Sequence, residues 1–333
     1  DSYNVAVGSL AGLSVTTGFS NVLIGAGAGD ALTDADENTA VGMNALSSDT
    51  QGSDSVAIGT GALFNQNFTT QTSSLNVAVG YQAGEQVTTG IRNTLLGANA
   101  GDELTDADNN VAVGTDALGT NQLGSQNIAI GRLALGTMNP ATATNTYNTA
   151  VGADAGFAVT TATINTLIGG LAGDALTTGN SNTAVGYDAL GAEVQGDRNV
   201  AIGNAALKNQ SNSTDLDIYN TAVGYYAGLS ITTGDSNTLI GGLAGDALTT
   251  SSQNTAVGYL ALSTQTDGAS QNVAVGFKAG WQNTGGDGLT AIGRQALEDN
   301  TTGSNNTAVG SLALANNTVG NYSVAIGRLA LQD

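Results

Sequence analysis

The 333-residue sequence has no cysteine, no histidine, one proline, one tryptophan and seven lysines and arginines. Each scarcity removes a class of protein. Without cysteine there is neither a disulfide framework nor thiolate chemistry. Without histidine as well, Ser/His/Asp and Cys/His nucleophilic sites and imidazole or thiolate metal sites are excluded. The cations Lys208, Lys278, Arg92, Arg132, Arg198, Arg294 and Arg328 stand singly, and against 27 acidic residues they leave a net charge of −20. Phosphate recognition needs clustered cations, so nucleic acid is disfavoured as a partner, and the acidity reads as solubility for a long exposed particle. No run of about eighteen apolar residues occurs. No membrane insertion by this segment is expected, and no signal peptide is recognised, so the chain reads as mature or as a fragment.

Glycine is abundant (48 residues), while aromatic residues make up only 5% of the chain. So few large side chains cannot fill a deep globular core, and stability must come from backbone ladders and small-residue packing repeated many times. The repeat that supplies them is plain in Asn182-Thr183-Ala184-Val185-Gly186, with Ala189 three residues beyond the glycine. Nineteen copies carry this glycine, from Gly8 to Gly327, and sixteen of them begin with Asn. The exceptions begin with Ser55, Leu289 and Ser323.

The spacing carries a second order. Gly8, Gly25, Gly42 and Gly59 are 17 apart, and Gly80 follows after 21, so that four copies make a 72-residue block. The blocks run 4–75, 76–147, 148–219, 220–271 and 272–333, the fourth lacking one copy, within what we expect to be one elongated domain, 1–333. The residue four beyond the glycine is Gly, Gly, Leu, Leu in the first three blocks (Gly12, Gly29, Leu46, Leu63 in the first). The second copy of a block has Leu in place of the strand alanine: Leu23, Leu95, Leu167 and Leu239. The four extra residues fall in loops 64–75, 136–147 and 208–219, which end in Leu75, Tyr147 and Tyr219.

A 17-residue period is too short for helical hairpins and suits one turn of a parallel β-solenoid, so the chain is expected to be all-β with about 19 coils. In Asn-Thr-Ala-Val-Gly, Thr and Val share one face and Asn, Ala and Gly the other. Neither face carries charge, so both should be covered, one by the opposite wall of the same coil and one by a neighbouring chain. Stacked asparagines should form amide ladders at about 4.8 Å, and nineteen coils at that rise predict a rod on the order of 90 Å long. The Thr-Thr-Gly segments at 16–18, 88–90, 232–234 and 301–303 read as turns in which glycine supplies positive φ.

Asn-(Ser/Thr/Val)-Ala-(Val/Ile)-Gly followed by x-x-Ala resembles the head repeats of trimeric autotransporter adhesins, the YadA-like or haemagglutinin-type repeats, over essentially the whole chain. Ser55–Gly59 and Ser323–Gly327, both Ser-Val-Ala-Ile-Gly, match best. The resemblance implies a left-handed β-roll, a homotrimer, and an extracellular or cell-surface role in attachment to glycan or extracellular matrix. The 17-residue period and the 72-residue order depart from that family, and stalk heptads, neck and anchor are not seen. Similar repeats also resemble those of phage tail fibres, so the alternatives are a self-assembling extracellular filament subunit and a tail-fibre shaft on a virion.

No enzyme is expected. Gly25-Ala26-Gly27-Ala28-Gly29 resembles a phosphate loop only superficially, because no Lys-Ser/Thr follows it. The column of Thr39, Thr94, Thr149 and their equivalents could order water as an ice-binding array, but it mixes with Val, which favours a buried interface. No cofactor is expected apart from one candidate, Ca²⁺ held by hard carboxylate oxygens at Asp30, Asp34 and Asp36 (with Glu37) and, 72 residues later, Asp102, Asp106 and Asp108 (with Glu103). Thr178 and Asn180, then Thr250 and Ser252, stand at the places of Asp34 and Asp36 in the next blocks, so such a site is not general to the blocks.

Overall fold

A computed structural model describes residues 2–214, 216–266 and 268–332. It is all-β, a parallel β-solenoid whose turns recur about every 17 residues. The chain divides into two compact units, residues 1–165 and 166–333. Among the described residues the first unit contains nine three-residue strands and the second ten, each beginning just after the asparagine position. Within the first unit Val5, Val22, Thr39, Val56 and Val77 are partners in consecutive strands. Within the second, Thr166, Thr183, Val200 and Thr221 are. The 21-residue steps keep register because the four extra residues are absorbed outside the strand. The loop strand Thr72–Ser73 pairs in parallel with Gly52–Ser53, Thr144–Asn145 with Gly124–Ser125, and Leu216–Asp217 with Gly196–Asp197.

The pleat sends the strand alanines inward, and Ala40, Ala57, Ala112, Ala184 and Ala256 are fully buried. Asparagine points the same way and spans the coil. Asn38 Nδ2 donates to the Gly52 carbonyl fourteen residues on at 2.8 Å, which closes its own turn. Its Oδ1 accepts the Ser55 N–H at 2.9 Å, and its own N–H donates to Asn21 Oδ1 at 3.0 Å. Asn237 in the second unit makes the same bonds to Ser251, Asn254 and Asn220. The amide column therefore joins side chain to backbone, and only some rungs, such as Asn127 Nδ2 to Asn110 Oδ1 at 3.1 Å, also join amide to amide.

The ladder glycine is required twice over. Gly42 has φ +142°, and a Cβ there would lie 2.4 Å from the Gly59 carbonyl oxygen of the next coil. Beyond it the backbone alternates in hand: Asn44 and Leu46 both have positive φ, at 55° and 54°. That alternation sends the Asn44 N–H to Ala26 O in the coil before and the Leu46 N–H to Ala62 O in the coil after. These inter-coil bonds offset the cost, about 1–2 kcal/mol per residue, of a left-handed conformation in a side chain other than glycine.

The Thr-Thr-Gly turns correct one expectation. Gly18 lies outside the positive-φ region, which is occupied two residues later by Ser20 at φ 56°. Glycine is needed at position 18 for closeness, because a Cβ would sit 2.4 Å from Ala35 O.

The block order is a packing order. In the second coil of a block, strand Leu95 fills the core, and Cβ atoms built on Gly84 and Gly101 would lie 2.7 and 2.8 Å from its methyl groups. Where the strand residue is alanine and no such leucine intrudes, buried Leu118 and Leu135 fill the core from the turn. The residue seven beyond the glycine changes in step. It is apolar beside the glycine coils of the first four blocks (Val87, Leu104), Asn283 beside Gly280 being the exception in the fifth, and polar beside many leucine coils, as in Asp49, Gln66, Glu193 and Gln210.

Candidate functional site

Two kinds of surface could meet a partner: the outward strand face and the clefts along the coil walls. On the outward face, the threonine or valine and the valine or isoleucine of each strand flank the buried alanine. Ile58 and Ile130 in the first unit and Ile202 and Ile240 in the second remain 38–40% exposed. The charge-free alternation that points alanine inward thus points one column of valine, isoleucine or leucine outward on each unit, beside a column in which threonine and valine mix.

The candidate calcium residues are parted by the coil. Asp30 follows Gly29 on the wall beyond the strand, where its Oδ1 is buried without a hydrogen-bond partner. Asp102 holds the equivalent place, and its carboxyl is pushed up to about 6, first by burial and then by the charges of Glu103, Asp116 and Glu85. Its electrostatic neighbours do not include Asp106 or Asp108. Asp34 and Asp106 lie further along and accept from the hydroxyls of Thr33 and Thr105 at 3.4 and 3.3 Å.

Asp36 and Asp108 are rungs of a second ladder. Asp36 accepts the Phe19 N–H at 3.0 Å and its own N–H donates to Ser53 Oγ, while Asp108 accepts from Ile91 and donates to Ser125 Oγ. Asp197, Ser252, Asp287, Ser304 and Asn321 take the same place in the second unit. Sequence reading missed this column. Its signal was an Asp, Ser or Asn two residues before the asparagine, hidden because three residue types share one geometry. Asp36 also borders a cleft of about 420 Å³ with Glu37 and Asp54, a cleft that neither Asp30 nor Asp34 lines. Among the described residues, no group of three or more acidic side chains is placed to hold a metal ion.

The loop roots contain buried polar networks. Asp49, fully buried, accepts from the Gly52 and Phe68 N–H groups with Oδ1 and from Gln66 Nε2 at 2.6 Å with Oδ2. Its carboxyl is raised above the ordinary 3.8, chiefly by burial. Glu193, equally buried, accepts from the Val194, Gln195, Gly196 and Asn212 N–H groups and from the Gln210 and Asn212 amides. These carboxylates hold loops 64–75 and 208–219 to the coil and face no reactive partner.

In the second unit aromatic residues gather at the positions just after the ladder glycine. Tyr225 stacks on Tyr226 with centroids 3.9 Å apart, Tyr259 lies 6.0 Å from Phe277, and Lys278 sits 3.7 Å above the Trp281 ring. A cleft of about 420 Å³ lies between Tyr187 and Tyr226. No protein-family model matches the chain, and comparison with curated proteins gives no match.

Proposed function

We propose that this chain forms part of an extracellular structural and adhesive fibre, a head-like β-roll that associates as a homotrimer and attaches to glycan or matrix through many weak, repeated contacts. The observation that carries the reading is the outward apolar column that ends each strand, exemplified by Ile58 and Ile130 in one unit and Ile202 and Ile240 in the other. Soluble monomers rarely leave a contiguous apolar strip of this kind open to water. A second copy of the same strip is its natural complement, since repeats in one chain match repeats in another at a single spacing. Multivalency suits a repetitive wall, because contacts too weak to act singly gain from being held together.

The test is the mass of the purified chain by light scattering, with adhesion to glycan-coated and matrix-coated surfaces measured alongside. The parent should run as a trimer, and Ile58→Glu combined with Ile202→Glu should run as a monomer with reduced adhesion. A parent that is monomeric at micromolar concentration, or a charged double variant that stays trimeric, would count against the reading.

A further inference from the structure

The cleft between Tyr187 and Tyr226 has a local cause. In each coil the second residue after the ladder glycine has positive φ and stands on the wall; Leu171, Leu243 and Leu260 adopt φ of 57–58° there, and Asp188 and Tyr226 occupy it on either side of Ala205. At Ala205, φ 52°, the side chain ends at Cβ and a notch one coil wide opens, with a volume of about 420 Å³. Its walls belong to coils two apart, roughly 9.6 Å at the spacing of strands. That span compares with the breadth of one sugar ring. Tyr187, 57% exposed, stands on one side, and Tyr226, braced by its stack on Tyr225, stands on the other.

The polar groups narrow the ligand. The Asp188 carboxylate and Lys208 ammonium pair at 2.7 Å, with the lysine the more exposed, and the amides of Asn204 and Asn209 line the same cleft. Together they offer both donors and acceptors, which is what vicinal hydroxyl groups need, since each hydroxyl does both. A purely apolar ligand would desolvate the ion pair without replacing its hydrogen bonds. An anionic ligand would meet Asp188 on a chain of net charge −20. Aromatic faces matched with a few convergent polar groups in a cleft of this size are the usual makings of a small-molecule site. The C–H face of a pyranose packs on a tyrosine ring, while its hydroxyl edge reaches the floor.

We infer that the cleft over Ala205 binds an uncharged saccharide ring between Tyr187 and Tyr226, its hydroxyls met by Asp188, Lys208 and Asn204. The inference rests on the attachment reading above and names its ligand class. The experiment is saturation-transfer difference NMR on the full chain with glucose, galactose, mannose, N-acetylglucosamine and N-acetylgalactosamine, and with N-acetylneuraminic acid as the charged comparison.

Ring protons of at least one neutral sugar should receive transfer, and Ala205→Leu should weaken that sugar by about tenfold or more, the factor that 1.4 kcal/mol represents. Leucine already occupies the equivalent left-handed position at 171, 243 and 260, so the melting temperature should hold. Tyr226→Ala supplies a second variant with the same expected loss should Ala205→Leu disturb folding. No transfer to any neutral sugar, affinity unchanged in both variants, or tighter binding of N-acetylneuraminic acid would overturn the assignment. Adhesion that survives Ala205→Leu undiminished would overturn this cleft as the attachment point and leave the fibre reading standing, whereas a parent with neither adhesion nor transfer would overturn both.

Discussion

At the residue scale, one asparagine does three jobs in a space closed to water. Asn93 donates its own N–H to Asn76 Oδ1, accepts the Asn110 N–H, and closes its coil on the Ala107 carbonyl at 2.8 Å. Asn93→Ala orphans two buried backbone groups. At about 1–3 kcal/mol for each unsatisfied group, urea denaturation should show a loss of about 2–6 kcal/mol. The second residue-scale case is Asp49 with Gln66. In the next block the same two places hold Asn121, whose amide bonds both the N–H and the carbonyl of Gly124, and apolar Met138. Asp49→Asn alone sets an amide N–H₂ against Gln66 Nε2 and should destabilise by about 1–3 kcal/mol. Asp49→Asn with Gln66→Met copies the next block and should restore the fold. The pH dependence follows from burial raising the Asp49 carboxyl above 3.8. A group raised in the folded state adds stability below its unfolded value and loses that contribution as pH rises through the folded value. The double variant should therefore compare best with the parent at pH 7, and its relative advantage should shrink as the pH falls toward 4. A pH-independent difference in melting temperature would show that burial of this charge is not what matters.

At the scale of the element, the coil is a thin tube whose core is filled alternately from the strand and from the turn. Leu95 fully occupies the space that Gly84 and Gly101 leave. Leu95→Ala opens a cavity and should cost about 2–5 kcal/mol. Gly84→Leu drives a side chain into Leu95 and Leu63, 2.7 and 3.0 Å from its Cβ, and should cost about 1–3 kcal/mol. Combined, the two recreate the alanine-strand, leucine-turn pairing of the third and fourth coils, so the double variant should lose clearly less than the sum. Additive losses in a thermal or urea cycle would mean that the block order has another cause.

At the scale of the whole molecule, charge dominates. Among the described residues four ion pairs are seen, Arg132 with Asp154, Arg198 with Asp217, Lys208 with Asp188 and Lys278 with Glu298, against a net charge of −20. The first three pairs are largely solvated at the cation, and exposed pairs contribute little. Most carboxylates are thus unneutralised. Raising sodium chloride from about 0.01 M to 0.15 M shortens the screening length from about 30 to 8 Å, so the melting temperature should rise with salt. A fall would show that the few ion pairs outweigh the general repulsion.

The sequence alone determined the period, the strand positions, the separation of alanine from valine and isoleucine on opposite faces, and the block arithmetic. Those properties follow from the two-residue pleat and from spacing along one chain, while burial in the structure decided that alanine is the inward one. Only the tertiary structure decided what each residue meets 17 or 21 positions away: the N–H that Asn93 holds, the Asp-Ser rungs through Asp36 and Asp108, the contact that makes Gly18 a glycine, and the notch over Ala205. Each of those depends on how one coil is laid upon the next. Left-handed turns at Asn44 and Leu46 escaped notice because the bonds that stabilise them reach to neighbouring coils and let leucine share positions where Gly, Asn and Asp, as at Gly27, Asp116 and Gly84, carry the local preference.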